Sequence, residues 1–405
     1  MQRITVALAL VAVSCSISAQ AGDAVSLPVP TGKFAVGTTA FTIVDASRAD
    51  SLGKGQKYRS LTVQLWYPVS THAGSARAPY LLERPLAGVL LDAQYYGVDS
   101  ATLQSWSRLP THAWLNAAPR PGSYPVLTLS HGLGTARANY TSLAEELASH
   151  GFVLAVIDHP HSGLAVRPDG VIVSADDLGD AVNDPAATRL RMADEAGDIA
   201  FVLDRMSARK LPARAAAVSA TIDWRRAGAL GHSSGGLVAV EACNRNARLR
   251  ACVDLDGGLV MPGGQAMADF VVAGVTKPTL ILRSQPIYSD EDHARRGRTR
   301  EQWEASGKGG LAALDALARK SSGMLFIGRV AGTGHFSFSD GPFTMPTTIT
   351  RFGGKIIDPT RGWIVITTTL REYFAAAFAD KPAAFPGDLT SRFPELTMTR
   401  AAADP

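Results

Sequence analysis

The stretch "RRAGALGHSSGGLVAVEAC", residues 225–243, decides the fold of this chain. The small and apolar residues up to His232 are typical of a buried strand, and the apolar run that starts at Gly235 is typical of a helix. Ser233 occupies the turn between them, so the stretch predicts a strand, a sharp turn and a helix in direct succession. Such a turn exposes its serine hydroxyl above the sheet, and glycines two residues before and after it, at Gly231 and Gly235, supply the clearance. Ser233 is therefore predicted to be a nucleophile.

The same alternation of strands and helices continues along the chain. Apolar runs typical of strands recur at residues 61–68, 125–130, 152–158, 227–232, 251–256, 278–284 and 324–330. Helical patterns lie between or after them, at residues 138–151, 187–208, 235–246, 309–320 and 361–380. Short, continuously apolar strands that alternate with helices indicate an α/β fold, with a mostly parallel central sheet and helices on both faces.

Three regions stand outside this alternation. Residues 1–21 combine one arginine, a short apolar stretch and small residues near the end, which predicts a signal peptide and an exported, periplasmic or secreted protein. A lipoprotein signal with lipidation at Cys15 is the competing interpretation. Residues 22–385 are predicted to form a single domain, in which 70–124 is an inserted helical, cap-like segment. The Pro-rich residues 386–405 are predicted to be a tail that wraps the surface or frays.

Composition excludes several classes of protein. The 405 residues are 46% hydrophobic and 19% charged, as in a packed globular protein, and the net charge of +4 is too small to indicate a nucleic-acid partner. No stretch after the signal reaches the roughly 20 uninterrupted apolar residues of a membrane span. Only Cys243 and Cys252 remain after removal of the signal. In an oxidising compartment they could form a disulfide or stay two buried thiols.

A serine nucleophile needs a histidine base, which in turn needs a carboxylate to orient it. His335 follows the last predicted strand in a glycine-rich loop, at the strand end where such sheets form their sites. His293, the other histidine late enough in the chain, lies in a charged segment. Asp256 ends a strand before two glycines, whereas Asp290 follows one strand later, the commoner position for the acid. The competing acids are Asp254, Asp256, Asp290 and Asp292.

A second turn from strand to helix, "TLSHGLGTARANY" at residues 128–140, is predicted to form the oxyanion hole. The backbone N–H groups of Leu133 and of Ser234, the residue after the nucleophile, would converge on the developing negative charge. Gly236 extends the clearance around the nucleophile. His131 is interpreted as a packing and hydrogen-bonding residue of the loop.

The segment "DHPHSG" raises the question of a metal site, since His159 and His161 could be ligands. Its order of residues differs from the HxHxDH pattern of dinuclear metallohydrolases, and the sequence has neither CxxC nor HExxH. We therefore expect neither a metal nor another cofactor, and we interpret the segment as a loop that lines the pocket.

The motifs "LWYP", "SHGLG", "LASHGF", "GHSSGG", "LDG" and a late "GxxH" occur in one order in this chain, between about residues 60 and 340. With these motifs in this order, the sequence resembles the plasma and intracellular type II platelet-activating factor acetylhydrolases of the α/β-hydrolase superfamily. The resemblance implies an α/β-hydrolase fold and places the acid of the triad at Asp256, with Asp290 in reserve. It also implies hydrolysis of short or oxidised acyl groups at the second position of a phospholipid.

The leading hypothesis is a serine ester hydrolase that acts on short-acyl carboxylic esters through Ser233, His335 and Asp256. Its substrate would be a small-molecule or lipid ester, with transient contact to a lipid interface as a further option. The alternatives are a carboxylesterase or lipase of longer esters, a peptidase on the same fold, and a catalytically inactive binding protein.

Overall fold

A mostly parallel sheet of twelve strands forms the centre of the protein. The computed structural model describes residues 25–50, 52, 57–71, 74–82, 100–167, 170–261, 264–295, 299–346 and 356–401. The strands are β1 (Val36–Ala49), β2 (Tyr58–Thr71), β3 (Arg77–Pro79), β4 (Pro110–Leu115), β5 (Ala118–Pro119), β6 (Tyr124–Ser130), β7 (Val153–Asp158), β8 (Ala165–Val166), β9 (Ile172–Val173), β10 (Ile222–His232), β11 (Leu249–Leu255), β12 (Thr279–Gln285), β13 (Leu325–Ala331) and β14 (Leu396–Ala401).

Helices connect most of the parallel strands. The α-helices are α1 (Ser100–Trp106), α2 (Thr141–Ser149), α3 (Pro185–Ser207), α4 (Ala213–Ser219), α5 (Ser234–Arg245), α6 (Asp269–Ala273), α7 (Asp290–Arg295), α8 (Arg300–Lys320), α9 (Gly341–Thr344), α10 (Pro359–Phe378) and α11 (Leu389–Arg392). None of the helices within the described ranges has the length and apolar character needed to cross a membrane.

The six middle strands, in the order β13-β12-β11-β10-β6-β7, are all parallel, and antiparallel strands continue the sheet on both sides. Every residue of β6 and β7 is buried. This is because apolar side chains of α3, α5 and α8 cover one face of the sheet, and those of α2 and α10 cover the other. Parallel strands need such cover on both sides. The predicted α/β fold is confirmed.

The region 70–124 differs from the helical segment that was predicted. Where it is described, it contains one short helix, α1, and three short strands, of which β4 pairs parallel with β1 and β5 pairs antiparallel with β2. These strands extend the sheet instead of covering it. Short edge strands give little local sequence signal, since their conformation depends on the strands they pair with. Residues 83–99 of this region, and the predicted signal peptide with Cys15, lie outside the described residues.

The end of the chain also differs from the predicted tail. Strand β14 pairs antiparallel with β13 and closes that side of the sheet. Four buried apolar residues three or four positions apart, Phe385, Leu389, Phe393 and Leu396, hold the preceding segment against the core. The described residues up to 401 are thus part of the domain, because this apolar spacing outweighs the high proline content.

Cys243 at the end of α5 and Cys252 in β11 form a disulfide, with their Cα atoms 6.2 Å apart. Both residues are buried in the core. The bond ties the helix that follows Ser233 to the strand that leads to Asp256.

Candidate active site

Ser233 lies between the last residue of β10 and the first residue of α5, with φ 57° and ψ −126°. A non-glycine residue with this backbone is strained by about 1–3 kcal/mol and persists only where its surroundings hold it. Two hydrogen bonds do so: the N–H of Ser233 donates to the carbonyl of Leu255 at 2.8 Å, and its carbonyl accepts from Gly236 N–H at 3.0 Å. The structure therefore contains the sharp strand-to-helix turn that the motif predicts.

The glycines around Ser233 lie where no side chain could fit. A Cβ added to Gly231 would overlap the carbonyl of Gly235. A Cβ on Gly235 would in turn overlap the carbonyl of Ser130, and one on Gly236 would overlap the carboxylate of Asp254. The turn is thus packed directly against β6 and β11, which explains in physical terms why the motif needs glycine at these positions.

His335 follows β13 and faces Asp256, which follows β11. The distance from His335 Nδ1 to Asp256 Oδ2 is 2.8 Å. Asp256 also accepts hydrogen bonds from Ser284, from the N–H to Oδ1 and from Oγ to Oδ2, both at 2.9 Å. Burial alone would raise the pKa of Asp256, but the hydrogen bond from His335 and the positive charge of Arg283 hold it below its usual value. An ionised carboxylate thus fixes the proton of His335 on Nδ1.

The competing acids lie elsewhere. Asp290 at the start of α7 is exposed and pairs with Arg300 at 2.8 Å. Asp292 accepts hydrogen bonds from the N–H and the Oγ of Ser289. His293 is buried in α7 beside the ring of Tyr288. The structure thus brings Asp256, and not Asp290, to His335.

Asp254 lies two residues before Asp256 and is completely buried. Its Oδ1 accepts from Gly257 N–H at 2.8 Å, and its Oδ2 has no hydrogen-bond partner among the described residues. Burial raises the pKa of Asp254 to about 6, against the partial offset of the nearby Arg283 charge. Asp254 therefore lies beneath the site without reaching His335, and it carries a cost when ionised.

The predicted oxyanion loop contacts the nucleophile turn directly, since a Cβ on Gly132 would lie only 3.1 Å from the Cβ of Ser233. Its shape is held by Thr135, whose N–H and Oγ1 both donate to the carbonyl of Gly132, at 3.0 and 2.8 Å. Within the described part of the chain, no group accepts a hydrogen bond from the N–H of Leu133 or of Ser234. The N–H groups of Leu133 and Ser234 are the predicted oxyanion donors.

His131 and His159 support this loop from below. The N–H of His159 donates to His131 Nε2 at 3.1 Å, so the proton of His131 is on Nδ1, which donates to the carbonyl of Gly132 at 2.9 Å. His159 itself contacts Asp198 through Nδ1 and Ser130 through Nε2. Both histidines are buried and act as structural residues of the loop.

His161 also has both ring nitrogens in hydrogen bonds, with Asp177 at 2.8 Å and Asp50 at 3.0 Å. Burial would lower the pKa of His161, but the two carboxylates raise it above its usual value. In the described ranges, no three histidine, cysteine or acidic side chains are grouped so that they could hold a metal ion.

Sequence reasoning missed three residues that contact the site. Ser284 orients Asp256, and its position at the end of β12, beside β11 in the sheet, was the only available signal. The other two are His232 and Tyr140, whose side chains are 2.8 Å apart between the nucleophile turn and the oxyanion loop. No local pattern pairs residues so far apart in sequence.

Comparisons with known proteins find similarity to acetylhydrolases and esterases. Residues 19–167 match the family described as platelet-activating factor acetylhydrolase, isoform II. The platelet-activating factor acetylhydrolase of Canis lupus familiaris is 24% identical over 204 residues, 45% of each chain. A probable 1-alkyl-2-acetylglycerophosphocholine esterase of Arthroderma benhamiae is 28% identical over 136 residues, 33% of this chain and 32% of its own. The chain thus spans less than half the length of these curated relatives.

A solved structure is similar over nearly the whole chain. The ferulic acid esterase from Streptomyces cinnamoneus aligns with a TM-score of 0.70 and 28% identity, covering 93% of this chain and 99% of its own. The predicted similarity to platelet-activating factor acetylhydrolases and the predicted α/β-hydrolase fold are confirmed. The names of these proteins all indicate an esterase or acetylhydrolase. The family match ends before Ser233, so the catalytic residues rest on the geometry described above.

Proposed function

We propose that this protein is an exported serine ester hydrolase that cleaves short-acyl carboxylic esters, including the acetyl or short oxidised acyl group at the second position of a phospholipid. The observation that carries the proposal is the 2.8 Å hydrogen bond between His335 Nδ1 and Asp256 Oδ2. It lies at the carboxyl ends of the parallel strands, where the strained turn holds Ser233. A base and its orienting acid beside a strand-to-helix turn with a half-buried serine are the parts that acyl transfer needs.

In the proposed mechanism, Ser233 Oγ attacks the ester carbonyl carbon while His335 Nε2 takes the hydroxyl proton. Asp256 keeps the other ring proton on Nδ1 and stabilises the imidazolium that forms. The N–H groups of Leu133 and Ser234 donate to the oxyanion of the tetrahedral intermediate. His335 then returns its proton to the leaving alcohol oxygen, which leaves an acyl-serine.

The second half of the reaction reverses these roles. Water attacks the acyl-serine carbonyl while His335 Nε2 takes a proton from it, and the collapse of the second intermediate releases the carboxylic acid. The proton returns to Ser233 Oγ, so the enzyme ends in its starting state. No oxidant, reductant or further group is needed, because ester hydrolysis consumes only water.

The preference for short acyl groups is supported by the names of the curated relatives, which refer to acetyl esters. Each methylene that fits an apolar pocket adds about 0.8 kcal/mol of binding, whereas one that meets a closed wall must displace packed atoms. A second candidate is the hydrolysis of esters of ferulic acid. It is favoured by the similarity to a ferulic acid esterase, which covers nearly the whole chain.

The test is kcat/KM for p-nitrophenyl esters with acyl chains of two to sixteen carbons, and for methyl ferulate. We expect a maximum between two and about six carbons. A maximum at twelve carbons or beyond would indicate a lipase-like groove instead, and a preference for methyl ferulate would favour the second candidate. Absence of activity on all of them would indicate a binding protein.

Ser233→Ala should abolish this activity, whereas Ser391→Ala, at an exposed position of α11, should retain it. An organophosphonate should add one adduct mass to the wild-type protein and to Ser391→Ala, and none to Ser233→Ala. An adduct that persists in Ser233→Ala would place the nucleophile elsewhere.

Export is the remaining part of the proposal. Expressed with its full leader in a bacterium that has a periplasm, the protein should begin near Gly22 by N-terminal sequencing. A blocked, lipidated N-terminus at Cys15 would support the lipoprotein alternative. An intact Met1 in the cytoplasmic fraction would contradict export.

A further inference from the structure

His232, the residue before the proposed nucleophile, is completely enclosed and uses both of its ring nitrogens. Its Nε2 lies 2.9 Å from the backbone carbonyl oxygen of His335, and its Nδ1 lies 2.8 Å from the hydroxyl oxygen of Tyr140. The rings of His232 and His335 are 4.5 Å apart between centroids. The buried His232 side chain thus connects the loop that carries the proposed base to Tyr140, the last residue of the segment 128–140 that carries the proposed oxyanion donor Leu133.

The donor and the acceptor of each hydrogen bond in this connection can be assigned. A carbonyl oxygen only accepts, so the proton of His232 must be on Nε2. Burial, together with the nearby His335, lowers the pKa of His232 to about 3, so the ring is neutral and its Nδ1 is an acceptor. The hydroxyl of Tyr140 therefore donates to Nδ1, and its oxygen accepts from the N–H of Gly132 at 2.9 Å.

We propose that His232 and Tyr140 are positioning residues that set the placement of His335 relative to the oxyanion loop. The hydrogen bonds run from Gly132 N–H through the Tyr140 hydroxyl and the His232 ring to the His335 carbonyl. Gly132 directly precedes Leu133, so one series of hydrogen bonds links the backbone of the proposed base, His335, to the backbone beside the proposed oxyanion donor, Leu133. This role rests on the proposed function, since it concerns the placement of groups for ester hydrolysis.

A second contact joins the segment after His335 to the segment around Tyr140, through Asp340. Both oxygens of Asp340 accept backbone N–H groups at the start of α2, from Thr141 at 2.9 Å and Ser142 at 3.0 Å. The N–H of Asp340 in turn donates to the carbonyl of Asn139 at 2.7 Å. Because this contact holds the segments together without His232, loss of the His232 bridge should shift the reacting groups without separating the loops.

Misplacement of a reacting group by about 1 Å can lower the rate about 100-fold. We expect His232→Leu, which keeps the volume but removes both hydrogen bonds, to lower kcat for p-nitrophenyl acetate by about 10- to 100-fold. Tyr140→Phe should lower it about tenfold, and KM should change less than about threefold in both, because the substrate contacts remain. His232→Gln, whose amide N–H can reach the His335 carbonyl, should recover most of kcat.

The matched control is Tyr373→Phe, which removes another buried tyrosine hydroxyl, one that donates to the carbonyl of Cys252 at 3.1 Å. We expect Tyr373→Phe to lower the melting temperature as much as Tyr140→Phe does, while its kcat, measured well below that temperature, stays at the wild-type value. A structural role alone would give Tyr140→Phe the same kcat as Tyr373→Phe.

The outcomes are distinct. A lower kcat in Tyr140→Phe but not in Tyr373→Phe, together with a higher kcat in His232→Gln than in His232→Leu, supports the positioning role. Wild-type kcat in Tyr140→Phe overturns it, even if His232→Leu fails to fold, and leaves the proposed function intact. If wild-type protein hydrolyses none of the p-nitrophenyl esters, the proposed function is wrong and the positioning role is wrong with it.

Discussion

The replacement Asp256→Asn tests the proposed triad most directly, because the surroundings of this carboxylate determine how an amide would sit. Oδ1 accepts from the backbone N–H of Ser284, which cannot reverse its direction. The amide oxygen of asparagine must therefore stay at that position, and its NH₂ group must face His335 Nδ1 and the Ser284 hydroxyl. The hydroxyl can rotate to accept, but Nδ1 of His335 can accept only if the ring carries its proton on Nε2. In that tautomer the ring cannot take a proton from Ser233.

The expected loss follows from this reversal. A histidine held in the wrong tautomer lowers kcat by about 10³- to 10⁴-fold, or about 4 to 5.5 kcal/mol of transition-state stabilisation. The assay is kcat for p-nitrophenyl acetate, with circular dichroism to check that the variant is folded. The control is Asp290→Asn, which breaks an exposed ion pair with Arg300 and should change kcat less than about twofold.

The result that would refute this reasoning is the opposite ranking. If Asp290→Asn lost three orders of magnitude and Asp256→Asn lost less than tenfold, the acid would lie after β12. The observed hydrogen bond between His335 and Asp256 would then not be the one used in the reaction.

Three further predictions concern groups around the site. The rate of ester hydrolysis should be unchanged in EDTA, since backbone N–H groups hold the oxyanion in the proposed mechanism. Loss of activity in EDTA that zinc restores would favour the alternative that His159 and His161 bind a metal. Asp254→Asn should change the dependence of stability on pH. Because the folded pKa of Asp254 is raised from 3.8 to about 6, the stability it contributes is full below about pH 4 and lost as pH rises through 6. In urea titrations the variant should thus exceed wild type by up to about 3 kcal/mol above pH 6 and match it near pH 4; an equal difference at both pH values would contradict burial as the cause. Replacing Cys243 and Cys252 by alanine should cost about 2–3 kcal/mol, and two free thiols in denatured, unreduced wild type would refute the bridge.

How far the sequence could predict the site depended on whether the signal was local. The turn at Ser233 and the loop at His335 can each be recognised from a few consecutive residues, because closely spaced glycines stand at the end of a predicted strand. Asp256 could not be recognised in this way. Asp254 lies two residues earlier in the same predicted strand, and the alternation of side chains along a strand assigns both carboxylates to one face. The structure separates them through φ 59° at Asp256, beyond the end of β11. The two glycines after Asp256 favoured it over Asp254, and the family resemblance favoured it over Asp290.

The parts that sequence reasoning missed depend on contacts between distant segments. Where 70–124 is described it holds one short helix and the short strands β3, β4 and β5, two of which form only through pairing with β1 and β2. The predicted tail carries β14 for the same reason, through pairing with β13. Tyr140 and His232 are 92 residues apart, and neither has a local signal for its partner. Composition and spacing describe a segment alone, whereas these features exist only once the sheet has formed.

The two positive φ angles of the proposed triad show how the sheet supports the site. Ser233 with φ 57° and Asp256 with φ 59° each follow directly after a parallel strand. In each case the strained N–H donates to the neighbouring strand, Ser233 to Leu255 at 2.8 Å and Asp256 to Leu282 at 2.9 Å. Such backbones cost about 1–3 kcal/mol each and are kept only where the surroundings fix them. The strained residue after β10 is thus held by a hydrogen bond to β11, and the strained residue after β11 is held by a hydrogen bond to β12. The proposed nucleophile and acid are therefore positioned by the buried centre of the sheet and not by the loops around them.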